Sequence, residues 1–178
     1  MRLFIAINFD DQMKNRLHEI TQKLKSVSNK GNFTRKENFH LTVVFIGETN
    51  KINTVKQIMD KICAEPFDIT IGILGKFQRS GGDIYWVGVE NNEYLSAIYK
   101  QLAEELASAG FNIEKRSFKP HLTLGREVIL SENFDEKAFS NIISPMTIRV
   151  ERISLMKSER INGVLTYTEV YGKELYKG

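Results

Sequence analysis

The sequence predicts an α+β fold of two similar lobes, each made of an antiparallel sheet and two helices, with a cleft between the lobes. Two observations lead to this prediction. Strand-like apolar runs alternate with amphipathic helical stretches throughout the 178 residues. The order of these stretches in about residues 1–80 is then repeated in about residues 82–178. We therefore expect a single two-lobed domain built from an internal repeat.

Each half of the chain has the pattern strand, helix, strand, helix, strand. The first helix of each half shows apolar residues three or four positions apart, and Gly110 ends the one in the second half. Most other elements are short apolar or alternating runs of the kind found in strands. The further matching pairs are strands 2–9 and 83–90, helices at about 51–63 and 134–142, and strands 67–74 and 147–155.

A further strand is predicted near the end of the chain. Residues 164–175 alternate in polarity, and they follow the pair Asn162 and Gly163. Asn-Gly is the pair that tight two-residue hairpin turns favour. We therefore expect residues 164–175 to pair with residues 147–157, which gives seven strands and four helices in total.

The tripeptide His-Leu-Thr occurs twice, at equivalent positions of the two halves. Alternate side chains of a strand point to opposite faces, so His40 shares a face with Thr42, and His121 with Thr123, while the leucines between them face the core. Packing of the two halves about an approximate two-fold axis would bring both polar pairs to one cleft. Either tripeptide alone is an ordinary strand sequence, but the matching positions favour a functional site.

These residue types suit phosphodiester cleavage without a metal. One neutral histidine can take a proton from the attacking oxygen, and one charged histidine can give a proton to the leaving oxygen. The hydroxyls of Thr42 and Thr123 can donate to the non-bridging oxygens, where negative charge builds up. Arg126 could add a fixed positive charge for the phosphate. The alternative for Arg126 is a solvated residue at the end of a strand.

Composition limits the other classes of function. Lys and Arg total 25 against 22 for Asp and Glu. The resulting net charge of +3 is compatible with an anionic ligand but is too small to indicate a protein that coats nucleic acid. Neither histidine motif has a third ligand at a familiar spacing, so we expect neither a metal nor another cofactor. Since no apolar run approaches the roughly 20 residues of a membrane span, we expect a cytoplasmic protein with no membrane partner.

Several other residues have a structural interpretation. Cys63 is the only cysteine, which excludes an internal disulfide, and its helical neighbourhood predicts a buried core thiol. His18 lies on the polar side of the first helix and is expected at the surface. The aromatic residues Phe4, Tyr85 and Trp86 could stack a base, although residues of this type in strands more often belong to the core. The apolar series beside Cys63 consists of Val55, Ile58, Met59 and Ile62.

Nearly the whole chain resembles a known family, the two-histidine phosphoesterases. Within that superfamily it is similar to the bacterial and archaeal RNA 2′,3′-cyclic phosphodiesterases, also called 2′-5′ RNA ligases. Arg116, Phe118, Pro120 and Arg126, around the second histidine motif, resemble this branch in particular. The segments that carry the resemblance, in the order of the family, are RLFIAI, ENFHLTVVFIGE, GKFQRSGGDIYWVGVE, RSFKPHLTLGR and ISLMKSERINGVLTYTEV.

The resemblance implies a bilobal α+β catalytic domain that hydrolyses RNA 2′,3′-cyclic phosphate ends to 2′-phosphates without a metal. It also implies that His40 is the proton donor and His121 the proton acceptor. The two motifs are too alike for their residues alone to assign these roles. RNA ends or nucleoside 2′,3′-cyclic phosphates are the expected substrates. The reverse 2′-5′ ligation is a further activity reported in the family, and we expect a monomer.

Three alternatives stay open from the sequence. The chain could be a nucleotide-binding module of the same fold without useful turnover, or a phosphodiesterase for another small cyclic phosphate. It could also be an interaction protein whose histidines are incidental. The intact His and Thr pairs argue against pure binding, because binding alone needs no pair of proton-transfer groups. The repetition of the motif at matching positions argues against incidental histidines.

Overall fold

The computed structural model describes residues 1–114 and 117–176. In this part of the chain there are nine strands, four α-helices and one 3-10 turn. In chain order these are β1 (Arg2–Asn8), α1 (Asp11–Ser26), β2 (Ser28–Phe33), the 3-10 turn (Lys36–Asn38), β3 (His40–Glu48), α2 (Ile52–Asp60), β4 (Phe67–Phe77), β5 (Asp83–Val89), α3 (Glu93–Ser108), β6 (His121–Leu130), α4 (Glu136–Asn141), β7 (Met146–Val150), β8 (Arg152–Ile161) and β9 (Val164–Glu174).

The strands form two antiparallel sheets, as the sequence predicts. The His40 sheet has the strand order β3-β1-β8-β9, and the His121 sheet has the order β2-β6-β5-β4-β7. Helix α3 contacts β3 and α2, and α2 also contacts β9, whereas α1 contacts β2 and β6. Helix α4 is linked to β4 by an ion pair between Lys76 and Glu136 at 3.1 Å. The predicted α+β architecture of two sheets and four helices is therefore confirmed.

Each half of the chain contributes strands to the sheet of the other half. Strand β4 comes from the first half but pairs with β5 in the His121 sheet, and β8 comes from the second half but pairs with β1 in the His40 sheet. Both are interior strands with a neighbour on each side. Neither half of the sequence therefore forms a complete sheet alone. The repeat describes the order of the elements along the chain, but each sheet contains strands from both halves.

The predicted number of seven strands is wrong, for two physical reasons. Strand β2 has the polar sequence SNKGNF and lies at the edge of its sheet, paired only with β6, so it carries no apolar alternation. Residues 147–155, predicted as one strand, are divided between two strands. Strand β7 ends at Val150 and pairs with β4, while β8 begins at Arg152 and pairs with β1 and β9.

The predicted C-terminal hairpin is confirmed, with β8 as the partner of β9. Ile161 and Val164 are register partners, and the two residues between them form the turn. Asn162 has φ 51° and Gly163 has φ 81°. Positive φ at both central residues is what a type I′ hairpin turn requires, and it explains the Asn-Gly pair.

Equivalent polar residues begin the first helix of each half. The side chain of Asp10 accepts a hydrogen bond from the backbone N–H of Met13 at 2.8 Å at the start of α1. Asn92 does the same for Leu95 at 3.0 Å at the start of α3. These caps satisfy N–H groups that have no partner within the helix. The caps therefore fix the residue at which each helix begins.

Two expectations about single residues are wrong. Cys63 is exposed, because α2 ends at Asp60 and its helical spacing does not continue to residue 63. His18 is half-buried, and its Nδ1 is buried without a hydrogen-bond partner among the described residues. None of the described helices has the length and apolar character needed to cross a membrane.

Glycine at position 75 makes room for the ring of Trp86 on the neighbouring strand β5. A Cβ atom at Gly75 would lie 2.1 Å from that ring, so alanine must displace the tryptophan. We expect Gly75→Ala to lower the free energy of unfolding by about 1–3 kcal/mol, as overpacking does. Denaturant unfolding followed by fluorescence measures this directly, because Trp86 is the only tryptophan. Gly81→Ala is the control, since nothing lies within 4 Å of its Cβ position. Equal stability of the two variants would contradict the packing argument.

Candidate active site

The two histidine motifs occupy the first residues of β3 and β6, one in each sheet. Both strands alternate as predicted, with Leu41 and Leu122 fully buried and the histidines and threonines half-buried on the opposite face. One cavity of about 590 Å³ is lined by all five of the predicted site residues. These residues are His40, Thr42, His121, Thr123 and Arg126. The predicted meeting of the two motifs is therefore present in the fold.

His40 is held by its own loop and by two aromatic rings. Its Nδ1 donates a hydrogen bond to the carbonyl oxygen of Asn38 at 2.7 Å. Its Nε2 lies 3.0 Å from the hydroxyl oxygen of Thr42. The ring centroids of Phe4 and Tyr167 lie 4.8 Å and 4.9 Å from that of His40. The ring therefore has one orientation and one tautomer, with Nε2 as the nitrogen that can exchange a proton.

His121 is held in the other sheet by the same kinds of contact, a hydrogen bond to a backbone carbonyl and two aromatic rings. Its Nδ1 donates to the carbonyl oxygen of Lys119 at 2.6 Å. The rings of Phe77 and Trp86 pack against it, with centroid distances of 5.1 Å and 5.7 Å. As with His40, the accepting carbonyl belongs to the residue two positions earlier. The two halves of the repeat thus share the local geometry that leaves Nε2 as the nitrogen that can exchange a proton.

Both imidazoles have a pKa below the ordinary histidine value of 6.5. Burial is the largest cause in each case, and the hydrogen bond to the backbone carbonyl acts in the opposite direction. The positive charge of Arg126 lowers the pKa of both rings. Both histidines are therefore mainly neutral at pH 7. A bound anion would raise both values again, because it stabilises the charged imidazolium.

The two threonines differ in their partners. The Thr42 hydroxyl is bonded to Nε2 of His40, and since a neutral Nε2 can only accept, the hydroxyl is the donor in that state. The Thr123 hydroxyl lines the cavity without a hydrogen bond to another residue of the described chain, while its backbone carbonyl accepts a bond from Thr34 at 2.7 Å. Thr42 is therefore coupled to its histidine in a way that Thr123 is not.

The cavity is positively charged. Arg2, Arg35 and Arg126 line it, and none of its lining residues in the described part of the chain is Asp or Glu. Arg35 forms an exposed ion pair with Glu37 at 3.4 Å, but Arg2 and Arg126 make no ion pair with a described residue. An anionic ligand would therefore find two uncompensated guanidinium groups beside the histidines.

Sequence reasoning missed several residues of this cavity. Arg2 lies two positions before Phe4, so strand alternation places both on the face that carries the cavity, but the sheet order was needed to bring that face to His40. Tyr167 reaches His40 from β9, which only the pairing of β8 with β1 makes possible. Asn38 was also missed. Besides holding His40, its side-chain amide donates to the carbonyl of Leu165 on β9 at 3.1 Å.

The remaining residues singled out from the sequence have structural positions. Phe4 and Tyr85 are buried, and Phe4 also lines the cavity beside His40. Phe118 stacks on Tyr99 with a centroid distance of 4.1 Å, and the carbonyl of Pro120 accepts a bond from the backbone of Val89. Arg116 lies outside the described residues. Within the described chain, no three His, Cys, Asp or Glu side chains are grouped so that they could hold a metal ion.

An α+β fold whose two sheets each present a His-x-Thr motif to one positively charged cavity defines the class of two-histidine phosphoesterases. The sequence profile of the 2′-5′ RNA ligase superfamily matches residues 9–162, most of the chain. The chain belongs to this family.

Similar proteins agree with this placement over the full length. The chain is 30% identical to an RNA 2′,3′-cyclic phosphodiesterase of Thermotoga maritima, covering 99% of this chain and 94% of the relative. It is also 30% identical to one from Methanothermobacter thermautotrophicus, covering 96% of each chain. The crystal structure of E. coli LigT complexed with 3′-AMP has the same fold, with a TM-score of 0.80 at 23% identity over 98% of this chain and 97% of LigT.

Arg126 is predicted to contribute to the lowered pKa of both histidines. In the Arg126→Gln variant we expect the pKa of His40 and that of His121 to rise, because the guanidinium lowers both. NMR titration of the imidazole ring protons measures the two values separately. Arg149→Gln removes the same charge from β7, three strands away from β6, and should leave both values unchanged. A rise at only one ring would show that Arg126 does not act on the pair.

Proposed function

We propose that this protein hydrolyses RNA 2′,3′-cyclic phosphate ends to 2′-phosphates by metal-independent general acid–base catalysis. The observation that carries the proposal is the shared cavity, in which His40 and His121 each keep Nε2 for proton transfer beside uncompensated arginines. The names of the relatives support the substrate class, and the 3′-AMP bound to LigT supports a nucleotide ligand.

The reaction needs one proton removed and one proton supplied. A water molecule attacks the phosphorus of the cyclic phosphate, and a neutral histidine takes a proton from that water as the new P–O bond forms. The bond from phosphorus to the 3′ oxygen breaks, and a charged histidine gives its proton to that oxygen, which leaves as the 3′-hydroxyl. The phosphate stays on the 2′ oxygen. One ring gains a proton and the other loses one, so the pair is restored by exchange with water.

We assign His121 as the base and His40 as the acid. The assignment agrees with the family resemblance, and the surroundings of the rings support it. No hydrogen bond joins Nε2 of His121 to another described residue, so it is available to a water molecule. Nε2 of His40 already has the Thr42 hydroxyl beside it, which can accept from the charged ring until the leaving oxygen takes its place.

The phosphate is held by the remaining cavity groups. The Thr123 hydroxyl is available to donate to a non-bridging oxygen, and Arg126 supplies a fixed positive charge close to both rings. The negative charge of the substrate raises the pKa of both histidines, which favours the charged acid that the reaction requires. Binding of the substrate thus prepares the protonation state in which it is cleaved.

The test of the proposed function is incubation with a nucleoside 2′,3′-cyclic monophosphate in EDTA, with the product isomers separated by chromatography. The expected product is the 2′-monophosphate. Binding without turnover would instead identify a nucleotide-binding module. Activity that EDTA abolishes and added metal restores would contradict the metal-independent mechanism.

Single replacement of His40 or His121 by alanine should remove nearly all turnover. Both side chains are half-buried at the cavity and outside the core, so both variants should fold. Loss of either proton-transfer group should cost about 10²- to 10⁴-fold in rate, and the double variant should be little worse than either single one. Steady-state kinetics with circular dichroism as the check on folding measures this. Retention of more than about a tenth of the activity would contradict the assigned roles.

Replacement of the threonines by valine should have unequal effects. Valine keeps the β-branched shape and removes the hydroxyl. Thr123→Val removes a phosphate donor and should lower kcat by roughly 10- to 10³-fold, with partial recovery by serine. Thr42→Val should in addition change the pKa of His40, because the hydroxyl beside its Nε2 is lost. Kinetics and NMR titration of each variant check this. Wild-type activity in both variants would make the threonines structural residues.

A further inference from the structure

The backbone carbonyls that hold the two histidine rings are themselves fixed by different means. The carbonyl that accepts the Nδ1 proton of His121 belongs to Lys119, which precedes Pro120. A proline fixes its own φ and restricts the residue before it to extended conformations. The carbonyl of Pro120 also accepts a bond from the backbone N–H of Val89 at 3.1 Å. The acceptor for His121 is therefore held by the backbone, without help from the exposed side chain of Lys119.

The corresponding peptide group before His40 contains no proline. It joins Asn38, the last residue of the 3-10 turn, to Phe39. Its N–H donates to the carbonyl of Lys36 at 3.4 Å, beyond the usual range of roughly 2.7–3.2 Å for such bonds. The buried ring of Phe39 anchors the next Cα atom, but the peptide plane before it can still rotate about ψ of residue 38 and φ of residue 39. The backbone alone therefore holds this acceptor less firmly than the acceptor of the other motif.

The side chain of Asn38 adds a contact that the second motif does not use. Its Nδ2 donates to the carbonyl oxygen of Leu165 on β9 at 3.1 Å, although the two residues are 127 positions apart in the chain. Leu165 is two residues before Tyr167, whose ring packs edge-on against His40 with a centroid distance of 4.9 Å. Strand β9 thus contacts both the ring of His40 and the residue that accepts its Nδ1 proton.

We propose that Asn38 is a positioning residue, whose side-chain amide ties the 3-10 turn to β9 and so keeps its own carbonyl directed at Nδ1 of His40. The only other hydrogen bond that holds this residue in place is the one from its backbone N–H to the carbonyl of Arg35, at 2.9 Å and within the same loop. When the tie to β9 is lost, the carbonyl can turn away, and the neutral ring can then carry its proton on either nitrogen. The consequence for catalysis rests on the proposed function, in which His40 is the acid.

The first test measures the tautomer of each ring from the 15N chemical shifts of its nitrogens, at a pH above the histidine pKa. In the wild-type protein both neutral rings should carry the proton on Nδ1. In Asn38→Ala, His40 should show a mixture of the two tautomers, whereas His121 should be unchanged. The pKa of His40 should also fall, because the bond to the carbonyl raises it, while Lys14 and Arg126, which lower it, are still present.

The second test measures steady-state hydrolysis of a nucleoside 2′,3′-cyclic monophosphate. Asn38→Ala should lower kcat about 10- to 100-fold with KM nearly unchanged, the loss expected when a reacting group is displaced by roughly 1 Å. Asn29→Ala is the matched control, because it removes another side-chain amide contact to a strand carbonyl, at 3.5 Å, and should leave both rings and kcat unchanged. Circular dichroism checks folding. If the alanine variant does not fold, Asn38→Ser, whose side chain is too short to reach Leu165, should give the same results.

The two tests separate failure of this inference from failure of the proposed function. A single Nδ1 tautomer and an unchanged pKa of His40 in Asn38→Ala would overturn the inference, and so would equal disturbance of His40 and His121, which would indicate a general loss of structure. A loss confined to KM would assign Asn38 to substrate binding and overturn the positioning role. Mixed tautomers of His40 alone, in a protein whose wild type hydrolyses no cyclic phosphate, would support the positioning role and overturn the proposed function.

Discussion

Each of the two cavity histidines donates its Nδ1 proton to the backbone carbonyl two residues earlier, at 2.7 Å in His40 and 2.6 Å in His121. A carbonyl can only accept a hydrogen bond, so Nδ1 keeps its proton in both charge states, and the neutral ring has a single tautomer. Proton exchange is thereby limited to the two Nε2 atoms. These two Nε2 atoms are therefore the groups whose proton exchange the neighbouring threonines, arginines and aromatic rings influence.

The charges of the cavity and the protonation of its rings depend on each other. Burial and the guanidinium of Arg126 both lower the pKa of His40 and His121. The same positive charge attracts a phosphate, and the phosphate then raises the proton affinity that the arginine had lowered. An acid and a base of almost identical local structure can therefore share one site. Their difference lies in the neighbours, with the Thr42 hydroxyl on Nε2 of His40 and no such contact for His121 among the described residues.

The sequence was sufficient to predict the elements with strong periodicity and the residues that alternate on them. The two helices capped by Asp10 and Asn92, the His-Leu-Thr strands and the Asn162–Gly163 hairpin all follow from local patterns. Strand β2 could not be predicted, because an edge strand with a polar sequence is stabilised by pairing that only the folded sheet supplies. Arg2, Asn38 and Tyr167 were missed for a similar reason. They reach the cavity through strand order, which local patterns do not encode.

The exchange of β4 and β8 between the sheets also determines when the cavity can form during synthesis. Strand β1 precedes the other described strands in the chain, but its neighbour β8, Arg152–Ile161, follows both histidine motifs. Until β8 is made, the His40 sheet consists of β1 and β3 alone, and a two-stranded sheet is at best marginally stable. The His121 sheet holds β2, β6, β5 and β4 well before that point. The wall that carries His40 is therefore completed last, and a truncated chain lacks a finished site even though both histidine motifs are present.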